Sequence, residues 1–246
     1  MPASRRILVL GGTSEARALA DALFAKGYSV ITSLAGRTTE PRRPQGEVRV
    51  GGFGGAAGMA DYLRSAGVDA VIDATHPYAA AISAHAIEAC GNAGRPLLRF
   101  ERAPWLPQKG DRWIVVDSLT AAATVAPDLG RRAFLTIGVK ELASFARADN
   151  VWFLVRLVDR PVSPIPLAHH ELILARGPFK AGDERALLEE KQIDLIVAKN
   201  SGGHSTYGKI AAARALGLPV LLLRRPALAQ AQAVTRLADA IAWAER

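Results

Sequence analysis

The chain has 246 residues, half of them apolar, and a formal net charge of +8, a composition typical of a globular protein with one large domain or two smaller ones. Its single cysteine excludes a disulfide framework and a cysteine-based metal cluster, and no apolar run approaches the roughly 20 residues of a membrane span. The arginines are scattered, with few aromatic residues between them, so the excess charge favours a phosphate or polycarboxylate ligand over nucleic acid.

The first predicted elements are a strand near 5–10 and a helix near 14–26, joined by the turn "GGTSEA". The dinucleotide fingerprint asks for three small residues here, and Gly11, Thr13 and Ala16 occupy its positions. The middle glycine is therefore missing, and Gly12 partly compensates. Backbone N–H groups of 13–15 could then meet a phosphate at the helix start. A plain capped turn, using Thr13, Ser14 and Glu15 without any ligand, is the alternative.

The second predicted strand, near 28–34, leads into a connection with no acidic residue. An NAD-binding domain usually places Asp or Glu about 20 residues past the glycines, to bind the ribose 2′-hydroxyl. This chain has Ser33, Gly36, Arg37 and Thr38 instead. A guanidinium beside hydroxyls suits a 2′-phosphate, which a carboxylate would repel. We therefore predict NADPH rather than NADH as the cofactor.

The third predicted strand, near 47–51, runs into the glycine-rich stretch "GGFGG" before a helix near 56–66. Glycines such as Gly52 allow a backbone to approach a flat ligand closely, and Phe53 could flank the adenine or another ring. A mobile surface turn explains the same residues equally well.

The fourth predicted strand, near 68–74, ends in a cluster of polar and aromatic residues within "VIDATHPYAAAIS". Pro77 is expected to hold His76 extended and to open the helix near 79–92. His76 and Tyr78, together with Thr75, would then lie at the carboxyl edge of the sheet, where open α/β sheets bind ligands. Tyr78 could also be no more than an anchor for the helix.

A strand near 96–101 and the polar segment 101–112 complete the first half of the chain, and a second alternating series follows. Its strands are predicted near 113–117, 133–138, 151–158, 170–175, 193–198 and 219–224, and its helices near 118–126, 140–147, 183–191, 206–216 and 230–245. The Pro-rich stretch "VDRPVSPIPLAHH" links two of these strands where a helix would be expected. The alternation predicts an α/β fold of two Rossmann-like, doubly wound parallel-sheet lobes, residues 1–100 and 101–246.

The second lobe contains a further strand-to-glycine turn, "LIVAKNSGGHSTYGK". Backbone amides and Lys199 would make an anion site there, which faces the first one if the lobes pack with their strand ends together. The residues of this turn are Lys199, Asn200, Ser201, Gly202 and Gly203.

Taken together, these motifs resemble the precorrin-6A reductase family of cobalamin biosynthesis over nearly the whole chain. They are GGTSEAR at 11–17, SLAGRT at 33–38, GGFGG at 51–55, DATHPYA at 73–79, RFERAPW at 99–105 and KNSGG at 199–203. The resemblance implies two Rossmann-like lobes around an anionic tetrapyrrole, and NADPH-dependent reduction of one double bond of precorrin-6A to give precorrin-6B. It also implies that 11–15 and Arg37 hold NADPH, while 76–79, which includes Ala79, and 199–203 lie near nicotinamide and substrate.

Several alternatives stay open at this point. The proton that accompanies hydride transfer could come from His76, Tyr78, Lys199 or water. A non-catalytic NADPH-sensing or anion-binding module, or an NADPH reductase of another acidic substrate, would share the nucleotide turn. A short-chain dehydrogenase is disfavoured because no tyrosine is followed four residues later by lysine. We expect no metal, since the histidines lack a helix-spaced pair with an acid, and a cytoplasmic protein with no obligate protein partner.

Overall fold

The computed structural model describes residues 5–36, 43–227 and 231–246, which divide into two compact units. The first unit consists of Met1–Ala103 and Pro226–Arg246, and the second of Pro104–Arg225. Each unit contains one six-stranded sheet whose paired strands are all parallel. The predicted fold of two parallel-sheet α/β lobes is confirmed.

The first unit follows the predicted alternation of strands and helices closely. Its elements are β1 (Arg6–Leu10), α1 (Ser14–Ala25), β2 (Ser29–Leu34), β3 (Glu47–Val50), α2 (Gly55–Ser65), β4 (Ala70–Asp73), α3 (Ala80–Ala93) and β5 (Leu97–Phe100). The strands pair in the order β3-β2-β1-β4-β5.

Helices cover both faces of this sheet, which explains why β1 and β4 are apolar at nearly every position. Ile7 and Val9 of β1 belong to the core cluster that contains Leu19 and Leu23 of α1. The alternate residues of β1 pack in a second cluster with α2 and α3. Burying a leucine or isoleucine side chain contributes about 1.5–3 kcal/mol, so this alternation fixes the register of the strand.

The second unit repeats the architecture with its own elements. They are β6 (Arg112–Val116), α4 (Leu119–Leu129), β7 (Arg132–Thr136), a 3-10 helix (Val139–Phe145), β8 (Trp152–Leu157), β9 (His170–Leu174), α5 (Ala181–Glu190), β10 (Leu195–Lys199), α6 (Gly208–Leu216) and β11 (Pro219–Leu223). The strand order is β9-β8-β7-β10-β11-β6. As expected, the Pro-rich connection between β8 and β9 contains no helix.

The end of the chain departs from the expected division into lobes. The last two elements, β12 (Ala233–Val234) and α7 (Leu237–Ala244), belong to the first unit rather than to a second lobe spanning 101–246. Strand β12 pairs parallel to β5, and α7 buries Ala240 and Ala244 in the cluster formed by β1 and α1. The helix predicted near 230–245 is therefore wrong in its first part, where the chain is recruited as an edge strand.

A charged cluster lies buried inside the second unit. Arg156 of β8 donates two hydrogen bonds to Glu184 of α5, at 2.6 and 3.0 Å, and its guanidinium stacks on the ring of Phe179. Lys209 of α6 is 5% exposed and donates to the carbonyl oxygen of Thr206. Burial lowers the pKa of Lys209 to about 7; Glu184 opposes this shift and Arg156 adds to it.

Among the helices that the structure describes, none combines the length and the apolar character that crossing a bilayer requires.

Candidate functional site

The turn after β1 lies where the strand order of the first sheet reverses, with β2 on one side and β4 on the other. The Gly11 N–H donates to the carbonyl oxygen of Ser33 at 2.9 Å, and a Cβ on Gly11 would lie 2.9 Å from Thr32 Cγ2. Gly12 has a φ of +106°, which side chains rarely adopt. Both glycines are therefore required by the backbone of this turn.

Thr13 joins the start of α1 to the end of β4. Its hydroxyl accepts from the Ala16 N–H at 3.0 Å and donates to the carbonyl oxygen of Ala74 at 2.8 Å. The side chain thus caps the helix and fastens the turn. The first-turn N–H groups of a helix have no partner within that helix, so what the turn can offer an anion is its backbone.

Ser14 and Glu15 form a polar group with Arg102 at the same helix start. Ser14 Oγ donates to Glu15 Oε2 at 2.9 Å, and Arg102 Nη1 donates to that oxygen at 3.3 Å. Arg102 comes from the "RFERAPW" stretch, which the structure places beside the glycine turn. The Arg102 guanidinium offsets the negative charge of the Glu15 carboxylate. Glu15 therefore repels a phosphate at the helix start less strongly than an unpaired carboxylate would.

A guanidinium from β3, which the sequence analysis missed, lies beside the end of β2. Arg49 of β3 donates to Ser33 Oγ at 2.7 Å and to the carbonyl oxygens of Gly51 and Gly52 at 3.1 and 2.9 Å. These bonds hold the glycine-rich stretch against β2. The sequence signal that could have pointed to Arg49 is its position two residues before a run of glycines. The predicted residues Arg37 and Thr38 lie outside the described residues.

Phe53 is held by its neighbours at this strand end. The Arg49 guanidinium lies 3.7 Å from the Phe53 ring centroid, and the Tyr62 ring meets Phe53 edge-on at 5.3 Å. One face of Phe53 is therefore covered by a cation, and a flat ligand at this place would meet the guanidinium as well as the ring.

Asp73, at the end of β4, organises the loop that carries the predicted histidine. Only 4% exposed, it accepts from the Thr75 N–H at 3.1 Å, from Thr75 Oγ1 at 2.6 Å and from Ser83 Oγ at 2.5 Å, and Arg99 Nε lies 3.7 Å away. The hydroxyl of Thr75, a predicted cofactor ligand, is thus directed at Asp73. An aspartate two residues before a threonine is the local signal for such a turn.

His76 and Tyr78 lie together in the next turn, with ring centroids 5.6 Å apart. The Tyr78 N–H donates to His76 Nδ1 at 3.3 Å, and the Ala79 N–H donates to the carbonyl oxygen of His76 at 2.7 Å. Pro77 therefore sits inside a tight turn, and α3 starts only at Ala80. The expectation that Pro77 opens the helix is wrong, because this turn closes first.

The second unit presents Lys199 at the end of β10, beside the end of β7. Lys199 Nζ contacts Glu141 Oε1, while Glu141 Oε2 accepts from the Gly138 N–H at 2.5 Å. The carboxylate of Glu141 therefore occupies the backbone turn of the second sheet that corresponds to 11–15 in the first. Gly12 and Glu15 have the same spacing as Gly138 and Glu141, which is the signal that could have found Glu141.

Asn200 and Gly203 fix Trp105 against the loop after β10. The Asn200 side chain accepts from the Trp105 N–H at 2.8 Å and donates to the Trp105 carbonyl oxygen at 3.1 Å. Trp105 Nε1 donates to the carbonyl oxygen of Gly203 at 2.7 Å. The amide of Asn200 thus holds the loop, and Trp105, which the sequence analysis left without a role, is its scaffold.

The remainder of this loop differs from the expected strand-to-helix turn. The Ser201 N–H donates to the Lys199 carbonyl oxygen at 2.7 Å, and Gly202 and Gly203 have φ values of +68° and +67°. Helix α6 begins at Gly208, two residues later than predicted and five residues beyond the last loop glycine. The glycines close their own turn here, so they do not form the start of α6.

The predicted site residues consequently form one group in each unit. In the first unit, these residues lie at the carboxyl edge of the sheet: 11–15, Ser33, 52–53 and 75–79. The hydrogen bond from Thr13 to Ala74 connects the glycine turn to the residue that precedes 75–79. In the second unit, 199–203 lie at the corresponding edge. Within the described part of the chain, no three His, Cys, Asp or Glu side chains gather as a metal site would require.

The first sheet, extended by β12, has the strand order β3-β2-β1-β4-β5-β12, with a glycine turn at its reversal point. This topology and this turn define the Rossmann class of dinucleotide-binding α/β proteins. In the second unit, strands β9-β8-β7-β10-β11 repeat the arrangement β3-β2-β1-β4-β5, but the sixth strand, β6, comes first in its unit's chain, whereas β12 comes last in the first unit.

The family model described as precorrin-6x reductase CbiJ/CobK matches residues 6–245, and the chain belongs to this family of oxidoreductases. It is 51% identical over 240 residues to a precorrin-6A reductase of Rhodococcus erythropolis, covering 97% of this chain and 96% of the relative. It is 46% identical to one of Rhodobacter capsulatus, covering 97% and 95%. A solved CobK precorrin-6A reductase superposes with a TM-score of 0.94 at 46% identity, covering 98% and 96%.

Proposed function

We propose that this protein reduces one double bond of precorrin-6A with NADPH and gives precorrin-6B. The observation that carries the proposal is the glycine turn at the reversal point of the first sheet, in a chain whose family reduces precorrin-6x. Both glycines of that turn are dictated by the backbone, and a glycine turn before a helix start leaves backbone N–H groups accessible to a phosphate.

NADPH would supply a hydride. The chain has to bind NADPH, recognise its 2′-phosphate and orient the macrocycle. The 11–15 turn binds the diphosphate through its backbone. Arg37 binds the 2′-phosphate, supported by the positive charge of Arg49, which comes from β3 and donates to Ser33 of β2. A carboxylate at this place would select NADH instead.

Reduction of a carbon–carbon double bond also consumes a proton at the neighbouring carbon. His76, Tyr78 and Lys199 are the candidate donors. Since His76 Nδ1 accepts from a backbone N–H, the proton of the neutral ring resides on Nε2. The rate of single-turnover hydride transfer in His76→Gln, Tyr78→Phe and Lys199→Met distinguishes the three candidates. The variant that lacks the proton donor is expected to react more slowly while it binds NADPH as tightly as the wild type.

The substrate is an anionic tetrapyrrole, and the excess of basic residues in this chain favours a polycarboxylate ligand. Lys199 to Gly203 are proposed to contact it near the reacting carbons. The single cysteine is buried and unpaired, which agrees with the cytoplasmic location that we propose.

The test is to mix the purified protein with NADPH and precorrin-6A under anaerobic conditions and to follow the visible spectrum. We expect one NADPH oxidised for each macrocycle reduced, and little turnover with NADH. Arg37→Ala should lower the ratio of NADPH to NADH affinity about 10- to 100-fold. Arg43→Ala, an exposed arginine of the same connection, is the matched control.

A non-catalytic NADPH-binding module is the outcome that would contradict the proposal. In that case NADPH would bind with the same dependence on Gly12 and Arg37, but its absorbance would persist in the presence of precorrin-6A.

A further inference from the structure

Three adjacent strands of the second sheet end in the same chemical pattern. At or just after the ends of β7, β8 and β9, an exposed aliphatic residue is followed within two residues by an exposed cation. The pairs are Val139–Lys140, Val158–Arg160 and Leu174–Arg176. The three aliphatic side chains are 45%, 47% and 46% exposed. We call these six residues the aliphatic–cationic rim.

The sheet holds the members of this rim side by side. Leu157 pairs with Leu174, and the Ala175 N–H donates to the Leu157 carbonyl oxygen at 3.0 Å. Arg176 lies 3.9 Å from Asp159, which stands between Val158 and Arg160. Neighbouring strands are about 4.8 Å apart, so the row from β7 to β9 spans about 10 Å. This is the scale of a tetrapyrrole ring.

The connection that follows β8 extends the apolar surface. It has no helix, and Val162 at its tip is fully exposed. A hollow of about 350 Å³ opens between this connection and β9, with Arg160 and Ile165 on one side and Leu172 on the other. Contiguous exposed apolar residues bordered by charge mark ligand or partner surfaces more often than plain solvent-facing ones.

The matching strands of the first unit end differently. β1 and β3 are followed at once by Gly11 and Gly51, and the turn after β2 contains Gly36. Glycine turns leave room for phosphates near the backbone, whereas aliphatic side chains beside cations fit a broad apolar ring with a fringe of carboxylates.

We infer that the aliphatic–cationic rim binds the tetrapyrrole substrate, with the aliphatic residues under the ring and Lys140, Arg160 and Arg176 on its peripheral carboxylates. This inference rests on the proposed function for the identity of the ligand. It assigns substrate recognition to residues outside 199–203, at the ends of β7, β8 and β9, of which β7 is the neighbour of the strand that carries Lys199.

The experiment replaces each cation by glutamine, singly and together, and measures KM for precorrin-6A and Kd for NADPH. Each single variant is expected to raise KM about fivefold, and the triple variant about 100-fold if the contributions add. The Kd for NADPH should stay within twofold in all of them. Arg185→Gln, an exposed arginine on α5, is the matched control and should leave KM unchanged.

The aliphatic half is tested by Val158→Ser, which should raise KM about threefold, while Ile114→Ser at the opposite edge of the sheet should not. Circular dichroism confirms that each variant is folded.

A triple variant with the wild-type KM would overturn the inference and would indicate that this surface meets another protein or a second copy of the chain. A second measurement distinguishes failure of this inference from failure of the proposed function. It is the binding of precorrin-6A in the absence of NADPH, monitored through quenching of tryptophan fluorescence. If that binding depends on the rim while NADPH neither binds nor is oxidised, the proposed function fails and the rim stands.

Discussion

The two units share the arrangement of five strands, β3-β2-β1-β4-β5 and β9-β8-β7-β10-β11, yet the turns that follow these strands have different chemistry. In the first unit the reversal point is an open turn, where Gly11 and Gly12 bring the backbone to the surface. In the second unit the corresponding turn is filled by the Glu141 carboxylate, which accepts from the Gly138 N–H and pairs with Lys199. A phosphate would be repelled there.

This difference shows that the topology provides a position for a ligand, whereas the residues at the strand ends determine which ligand can bind there. One carboxylate is enough to close a dinucleotide turn, and a row of aliphatic and basic side chains makes the same edge suitable for a different molecule. Four changes would break or sharpen the comparison.

The largest expected effect is in the core of the second unit, at the pair of Arg156 and Glu184. Glu184→Gln leaves the Arg156 guanidinium buried without its counter-charge and should lower the free energy of unfolding by about 3–5 kcal/mol. Urea unfolding followed by tryptophan fluorescence measures this. Glu189→Gln, in an exposed pair with Arg185, should cost less than about 0.5 kcal/mol. Equal losses in both variants would refute the assignment.

The first unit depends in a similar way on Asp73. Asp73→Asn removes the charge that faces Arg99 and disturbs the bonds from Thr75 and Ser83, so we expect a loss of about 2 kcal/mol. Asp61→Asn removes an exposed ion pair on α2 and is the control. Urea unfolding followed by circular dichroism compares the two variants, and an unchanged midpoint for Asp73→Asn would count against this network.

Gly12→Ala tests the open turn of the first unit. The new methyl group would stand where a phosphate approaches the backbone, so we expect the Kd for NADPH to rise about 10-fold or more. Gly27 lies just past the other end of α1, with a φ of +87°. Gly27→Ala carries a similar backbone strain of about 1–2 kcal/mol, away from the turn. Calorimetric titration of both variants should show weaker NADPH binding in Gly12→Ala alone.

The smallest effect concerns the pH dependence of the second unit. The pKa of Lys209 is lowered to about 7 in the folded protein from 10.5, so above pH 7 the unfolded chain binds more protons than the folded one. This group should therefore add about 1 kcal/mol of stability between pH 7 and pH 8, approaching 1.4 kcal/mol per pH unit beyond.

Lys209→Met should abolish that gain, and Lys180→Met, at an exposed lysine of the same unit, should preserve it. Urea unfolding at pH 7 and pH 8 provides the measurement. An identical pH slope in wild type and Lys209→Met would contradict the burial argument.

The alternation of strands and helices was predictable because parallel strands buried on both faces, such as β4 and β11, read as continuous apolar runs. β12 was not predictable, because a two-residue strand exists only through its pairing with β5, more than 130 residues earlier. The periodic apolar residues around it read as part of a helix instead.

The candidate site divides in the same way. The glycine turn and the loop of His76 and Tyr78 were visible in the sequence, because glycine, proline and aspartate have strong local preferences. Arg49, Glu141 and Trp105 were missed because their roles depend on partners that only the folded sheet brings close. Ser33, Lys199 and Asn200 are 16, 58 and 95 residues away from them respectively.

The late return of β12 and α7 to the first unit has a consequence for synthesis. The ribosome makes β1 to β5 of the first sheet before the second unit, but the edge strand and the helix that complete the first unit emerge after the whole of the second. A nascent chain stopped at Ala103 would expose the apolar surface that later receives Ala240 and Ala244. The unit whose strands are synthesised first is therefore completed last, and its unfinished apolar surface is open to aggregation until then.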